Sequence, residues 1–220
     1  MPLVVALDGP AGAGKSTIAK GVSKKLGAIY VDTGAMYRAM ALHMLNNKID
    51  IDDEAAVSKA AADADITIKF EDGVQVVILN GKNVNGLIRT EEVGKTASKV
   101  STYRDVRTKL VDLQRRLAES VSVVMDGRDV GTVVLPNANP KIYLTASSRV
   151  RAKRRYDELI AKGESADLDT IEKDIIDRDY QDMHREISPL RKADDAIEVD
   201  TSDMTIEQVE AEIIRLCEGK

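Results

Sequence analysis

An α/β fold with a central, mainly parallel sheet and helices on both faces is the architecture this chain predicts, and three observations carry it. Short β-branched runs alternate with longer helical stretches along most of the 220 residues. The first run, Leu3–Leu7, leads straight into a glycine-rich loop. One segment with hairpin signals interrupts the alternation before it resumes.

The strand candidates are Leu3–Leu7, Ile29–Val31, Val121–Met125, Lys141–Leu144 and Ala196–Val199. Four of them run into an aspartate, namely Asp8, Asp32, Asp126 and Asp200. Ligands of open α/β sheets bind beyond the carboxyl ends of the strands, so these acids are candidates for site chemistry. Helices are expected over Lys15–Leu26, Ala35–Leu45, Tyr103–Ser120, Ser148–Lys162, Asp169–His184 and Ile206–Glu218. Thr205 and Gln208 have the spacing of a capping box for the last one.

The interruption spans roughly residues 63–92. Ile66–Phe70 and Val74–Leu79 are strand-like and flank Glu71-Asp72-Gly73, and Asn80-Gly81-Lys82-Asn83 adds a second tight turn. We read residues 1–62 and 93–220 as one core and 63–92 as an antiparallel insertion.

The loop after the first strand carries the sharpest signal. Gly9, Pro10, Ala11, Gly12, Ala13, Gly14, Lys15, Ser16 and Thr17 fill the pattern G-x-x-x-x-G-K-[ST]. Glycines allow successive backbone N–H groups to converge on an anion, and the following helix points its positive end at it. Lys15 is placed to reach the β- and γ-phosphates of a nucleoside triphosphate, and the Ser16 hydroxyl to ligate Mg²⁺. Four specified positions recur by chance in about one chain in a hundred of this size. The loop therefore predicts a P-loop.

Composition narrows the partners. Thirty-two basic against 37 acidic residues leave a net charge of −5, which argues against global attraction to nucleic acid or an anionic membrane. One Phe and no Trp offer little for base stacking by a nucleic-acid motor. Cys217 is the single cysteine, so no intrachain disulfide is possible and a reducing cytoplasmic setting is expected, with Cys217 a packing residue. Asp8 interrupts the N-terminal apolar run, unlike a secretory signal, and no stretch has the length of a membrane span. His43 and His184 have no metal-ligand spacing, so Mg²⁺ arriving with the nucleotide is the expected metal.

A P-loop alone does not separate a switch GTPase, a motor and a small-molecule kinase. No Asn-Lys-x-Asp base-reading motif is present. Arginines recur instead where phosphates would lie: Arg38 after Asp32-Thr33-Gly34, Arg128 within Asp126-Gly-Arg-Asp129, and Arg149, Arg151, Arg154 and Arg155 along one helix. Arg178, Asp182 and Arg185 share a helical face at i, i+4 and i+7. Guanidinium groups clamp phosphoryl oxygens and offset charge in phosphoryl transfer. The bland alternatives are an i,i+4 ion pair for Arg178 and Asp182 and a solvated face for residues 149–155.

Together, the glycine loop, Asp32-Thr-Gly-Ala-Met-Tyr-Arg38, Ile88-Arg-Thr-Glu-Glu-Val93, Asp126-Gly-Arg-Asp-Val-Gly-Thr132 and the Arg178-Asp…Arg185 run resemble bacterial cytidylate kinases, in the family's order, from residue 3 to about 212. The resemblance implies transfer of phosphate from ATP to CMP or dCMP, with the 63–92 insertion part of the monophosphate-binding domain; a monomer with no nucleic-acid partner is expected. It implies that Arg38, Arg128 and Arg185, with Thr33 and Tyr37, hold the acceptor phosphate region. Ser98, Arg107 and Asp129 would read cytosine, and Arg178 and Asp182 would contact ribose. Arg151 and Arg155, on a short helical lid around 149–165, would swing onto the triphosphate. Many nucleotide kinases have Gly after the P-loop lysine, where this chain has Ser16. The rival readings are a kinase for another small acceptor, such as UMP or a sugar acid, and a regulatory P-loop NTPase.

Overall fold

The computed structural model describes residues 2–219. Its main sheet has five parallel strands: β1 (Val4–Asp8), β2 (Ile29–Asp32), β6 (Val123–Asp126), β7 (Lys141–Thr145) and β8 (Ile197–Asp200), in the spatial order β2-β6-β1-β7-β8. β1 lies at the centre, and Val5, Ala6, Leu7 and Asp8 are all buried. A strand covered on both faces needs a continuous apolar run, which β1 and β6 both have. Register places Asp32 beside Asp126 and Leu7 beside Asp126, so the acidic strand ends form one edge of the sheet.

Helices α1 (Lys15–Leu26) and α8 (Ile206–Glu218) cover one face, with Ile18, Val22, Val209 and Ile213 in a core shared with Val5, Leu7 and Ile142. Cys217 packs against that core. The expected Thr205–Gln208 capping box forms, its hydroxyl accepting from Gln208 N and the Gln208 side chain from Thr205 N. On the other face lies α2 (Thr33–Asn46), whose Met36, Met40 and Met44 are fully buried. The same core takes in α3 (Glu54–Asp63), α4 (Glu91–Val100) and α5 (Arg104–Ala118). At the carboxyl edge, α6 (Ser148–Ala161) and α7 (Leu168–His184) pack on one another.

The antiparallel segment forms a three-stranded sheet of β3 (Ile66–Glu71), β4 (Val74–Leu79) and β5 (Lys82–Asn83). Lys82 and Asn83, read above as turn, are strand; the turn is Asn80-Gly81. Ile66, Val77 and Leu79 join the core cluster of α2, so this sheet is packed on the helix that follows Asp32. Gln75 completes the attachment: its side-chain amide accepts from Asp32 N at 2.8 Å and donates to Asp32 O at 3.1 Å, as a neighbouring strand would.

α3 and α4 are not anticipated above, though both carry caps. Asp53 accepts from Ala55 N and Ala56 N, and Thr90 from Val93 N. Ser98, which lies between the insertion and the helix expected from Tyr103, therefore sits on α4.

His43 fastens α2 to the small sheet. Its Nδ1 faces the side-chain amide nitrogens of Asn47 (3.4 Å) and Asn80 (3.3 Å), so it accepts. Burial holds His43 below its ordinary 6.5. The folded chain then binds fewer protons than the unfolded chain below pH 6.5. The contribution is complete above 6.5 and is lost as pH falls. His43→Gln should flatten this part of the pH dependence. Thermal melts at pH 5 and pH 7 should show a larger loss for wild type than for the variant, and equal losses would refute the assignment.

Candidate active site

Backbone geometry builds the donor end. Gly9 lies so close to β7 that an added Cβ would sit 2.0 Å from the Leu144 carbonyl oxygen. Gly12 and Gly14 have φ of +73° and +82°, which lets the loop turn back over the start of α1. Gly14 is the N-cap of α1 and offers no side-chain acceptor, so the helix end presents its N–H groups outward. Ala11 to Thr17 line a cavity of 690 Å³, a size suited to small-molecule ligands, and Gly9 and Pro10 lie buried beneath it.

Asp126, at the end of β6, accepts from Ser16 Oγ at 2.8 Å and Tyr30 Oη at 3.1 Å. Burial, then the neighbouring Asp32, push its carboxyl up to about 6 against the partly compensating Lys15. Lys15 is itself buried, its ammonium donating to Pro10 O at 2.6 Å, and burial followed by the Arg128 charge drives its pKa well down. Asp8 accepts from Val130 N (2.8 Å) and Gly131 N (2.7 Å) and ties β1 to the turn that follows Arg128 and Asp129. Its carboxyl also rises to about 6, because desolvation outweighs those two bonds. The turn is a single π-helical one over Val130–Val134, the type of local irregularity that recurs at functional sites.

At the other end of the cavity the expected residues come together. Arg107 on α5 pairs with Asp129 while also donating to Ser101 O at 3.0 Å, and Arg185 lies 3.6 Å from Asp129 and 3.7 Å from Asp182. Arg128 Nε donates to Asp182 at 2.9 Å. Arg38 meets Asp32 at 3.2 Å, and Thr33 Oγ1 donates to Asp126 O at 2.8 Å. Tyr37 lies under the Arg107 guanidinium, 5.4 Å from ring centre to Cζ, and its hydroxyl is pushed up to about 12, chiefly by burial. Ser98 lines the cavity from α4, its carbonyl accepting from Gln181 at 3.2 Å. Arg178 lines it from α7, exposed. The buried guanidinium nitrogens Arg38 Nε, Arg107 Nε and Arg185 Nη2 have no hydrogen-bond partner among the described residues.

The four arginines of α6 divide. Arg149 pairs with Asp169 and Glu172 on the exterior, as a solvated face would. Arg154 reaches Thr201 O at 2.6 Å, and Arg155 lines the cavity half-exposed, paired with Glu158. Arg151, expected to swing onto a triphosphate, is buried and donates to Ala146 O, Ala11 O and Asp179. Sequence reasoning did not single out Arg89, which reaches Asp32 at 2.8 Å although it lies in the quoted Ile88–Val93 segment. It also passed over Asp179, and the place of Thr201, Met204 and the first turn of α8 in lining the cavity beside the P-loop. Of the four strand-end acids, Asp200 stays outside: it is exposed and accepts from Ser202 N.

This arrangement defines a P-loop phosphotransferase with an arginine-rich cluster facing the loop across one cavity. The family model for cytidylate kinase matches residues 5–219. The chain is 52% identical over 216 residues to a cytidylate kinase of Lactobacillus johnsonii, covering 98% of this chain and 94% of that one. It is 48% identical to one of a Geobacillus strain, covering 96% and 95%. The chain belongs to the cytidylate kinase family. The shikimate kinase of Bacteroides thetaiotaomicron, 13% identical, has a similar fold (TM-score 0.51, covering 98% of this chain and 97% of that one).

No helix among the described residues is long and apolar enough to cross a membrane, and no three His, Cys, Asp or Glu side chains among them cluster to hold a metal. Because the folded Asp126 pKa lies above the ordinary 3.8, ionising it lowers stability as pH rises from 3.8 to about 6. Asp126→Asn should therefore raise the ligand-free melting temperature by a few degrees at pH 7.5 while greatly reducing phosphoryl transfer. A variant less stable than wild type, or fully active, would contradict this account.

Proposed function

We propose that this chain transfers the γ-phosphoryl group of ATP to CMP or dCMP, giving ADP and CDP or dCDP. The observation that carries the reading is the buried Arg107–Asp129 pair, flanked by Arg185 and facing the P-loop across one cavity. Cytosine presents an N4 amino donor and an N3 acceptor. A carboxylate beside a guanidinium complements that edge, whereas uracil offers an acceptor and a donor in the reverse places.

In this reading the loop amides of residues 11–17 and Lys15 hold the β- and γ-phosphates. Arg38, Arg128 and Arg185 grip the acceptor phosphate, with Thr33 and Tyr37 shaping its seat. Ser98, Arg107 and Asp129 read the base, while Arg178 and Asp182 meet the ribose. The unpartnered donors of Arg38, Arg107 and Arg185 then acquire acceptors. Mg²⁺ fits the chain's own donors, since Ser16 Oγ and Asp126 present two hard oxygens 2.8 Å apart beside the loop. The ion, bound with ATP, supplies charge neutralisation between the phosphates.

The acceptor oxygen is already anionic near neutral pH, so no side chain needs to remove a proton. A bond forms between that oxygen and the γ-phosphorus as the bond to the β-phosphate oxygen breaks, and ADP leaves with the electron pair. The chain contributes alignment and charge: arginines on the acceptor side and Lys15 on the donor side offset repulsion between two anions. Arg155, half-exposed at the cavity wall, would exchange its Glu158 partner for the triphosphate as its part of α6 closes.

Leaving one buried polar group unpaired costs roughly 1–3 kcal/mol, so UMP should be at least about tenfold poorer than CMP in kcat/KM. A coupled ADP-release assay across nucleoside monophosphates checks this, and Asp129→Ala should narrow the ratio. Equal use of CMP and UMP would overturn the base assignment. Rapid ADP release with no acceptor would favour an NTPase instead.

A further inference from the structure

Two side chains hold the P-loop from outside. Asp179, on α7 and 7% exposed, accepts from the Ala11 backbone N–H through Oδ1 at 2.9 Å. Its other oxygen, Oδ2, accepts from Arg151 Nη1 at 2.6 Å. The same Arg151 nitrogen donates to the Ala11 carbonyl at 2.7 Å, and Nε donates to Ala146 O at 2.9 Å. The N–H and the C=O of one loop residue are thus gripped at once, by a carboxylate and a guanidinium that also pair with each other. Contact is close on the next residue too: an added Cβ on Gly12 would lie 3.4 Å from Arg151 Cβ.

A loop with several left-handed glycines has many accessible conformations, and its amides bind a phosphate well only when they converge before the ligand arrives. The interior of a P-loop is where the phosphates lie, so convergence has to be enforced from its outer side. The Ala11 peptide is the part of the loop facing α6 and α7, and it is where the ring of bonds closes. A carboxylate is suited to the N–H and a forked guanidinium to the C=O, because each bond is charge-assisted and the two groups neutralise each other in a buried setting.

We infer that Asp179 and Arg151 form a brace that preorganises the P-loop for ATP, with Asp179 a positioning residue and Arg151 fixed to the loop rather than swinging onto the triphosphate. This rests on the phosphoryl-transfer reading above. It assigns a donor-side task to a helix whose neighbouring residues, Arg178 and Asp182, face the acceptor.

The test uses the full chain with ATP and CMP varied separately. Asp179→Asn keeps the shape and an acceptor for Ala11 N, but sets a neutral amide donor against the cationic Arg151 donor, so the bond to Arg151 is lost. Arg151→Lys removes the fork that serves three acceptors. Each variant should raise the KM for ATP at least tenfold and leave the KM for CMP within twofold. A second measurement needs no variant: in ligand-free wild type the Ala11 amide should exchange with solvent at least about a hundredfold more slowly than an unprotected amide. An unprotected Ala11 amide overturns the brace, even where a variant does not fold. An unchanged KM for ATP, or equal rises in both KM values, overturns it as well. Wild type that transfers no phosphate to CMP would instead refute the underlying reading, while the exchange result would still report on the brace.

Discussion

Arg38, Arg107, Arg128 and Arg185 face one cavity, and each is held against a carboxylate of the chain itself: Asp32, Asp129, Asp182, and for Arg185 both Asp129 and Asp182. A site meant to bring two polyanions together must store positive charge, and stored charge repels itself and resists burial. The carboxylates make the store tolerable, since an isolated buried ion costs several kcal/mol. They also set the direction of each guanidinium before a ligand arrives. Arg89 and Arg38 share Asp32, so the acid at the end of β2 aligns two cations as well as capping α2 through Ala35 N. Removing one acid here would release an arginine and leave it unpaired, a larger loss than the pair's own net worth.

The donor end shows the opposite balance. Asp8 and Asp126 sit where desolvation raises both carboxyls to about 6, and the nearby Lys15 is pushed down in turn. None of these three groups is at its most stable when charged and buried. In the proposed reaction this arrangement serves function rather than stability, because an ammonium and a carboxylate are both wanted beside the phosphates. Asp8 adds a mechanical role: its bonds to Val130 N and Gly131 N fix the π turn, and so the direction in which Asp129 leaves β6. The strand that launches the P-loop therefore also orients the residue proposed to read the base.

Much of this was legible in the residues. The five sheet strands and the glycine loop follow from local patterns whose causes are local: apolar runs buried on both faces and φ values that only glycine adopts freely. The cavity arginines were legible as types recurring after strand ends and glycine turns, and the resemblance gave them their proposed roles. What stayed hidden was partnership across the chain. Asp179 and Ala11 are 168 positions apart, and nothing near either one signals the other. Gln75 imitates a strand edge against Asp32 from 43 positions away, a use of glutamine that its strand context does not announce. The α4 helix was missed for a different reason. Gly94 and Thr96 weaken its propensity, and its burial of Val93, Ala97 and Val100 against the α2 core overrides that weakness.

These long-range contacts meet in α7. One face of the helix carries Arg178 and Asp182 to the acceptor end, while Asp179 reaches the P-loop. Gln181 binds the Ser98 carbonyl, and Arg185, just past the helix, closes on Asp129. α6 travels with it, through Arg151 on the same loop and Arg154 on Thr201. α7 thus touches the P-loop through Asp179 and the arginine-rich end of the cavity through Asp182. In the proposed reaction the place where α7 rests bears on the alignment of the two phosphates. The exposed face of α7, by contrast, carries Ile176, Tyr180 and Met183 without a part in the site. That division fits a helix whose inner face is constrained by chemistry at two ends of one cavity.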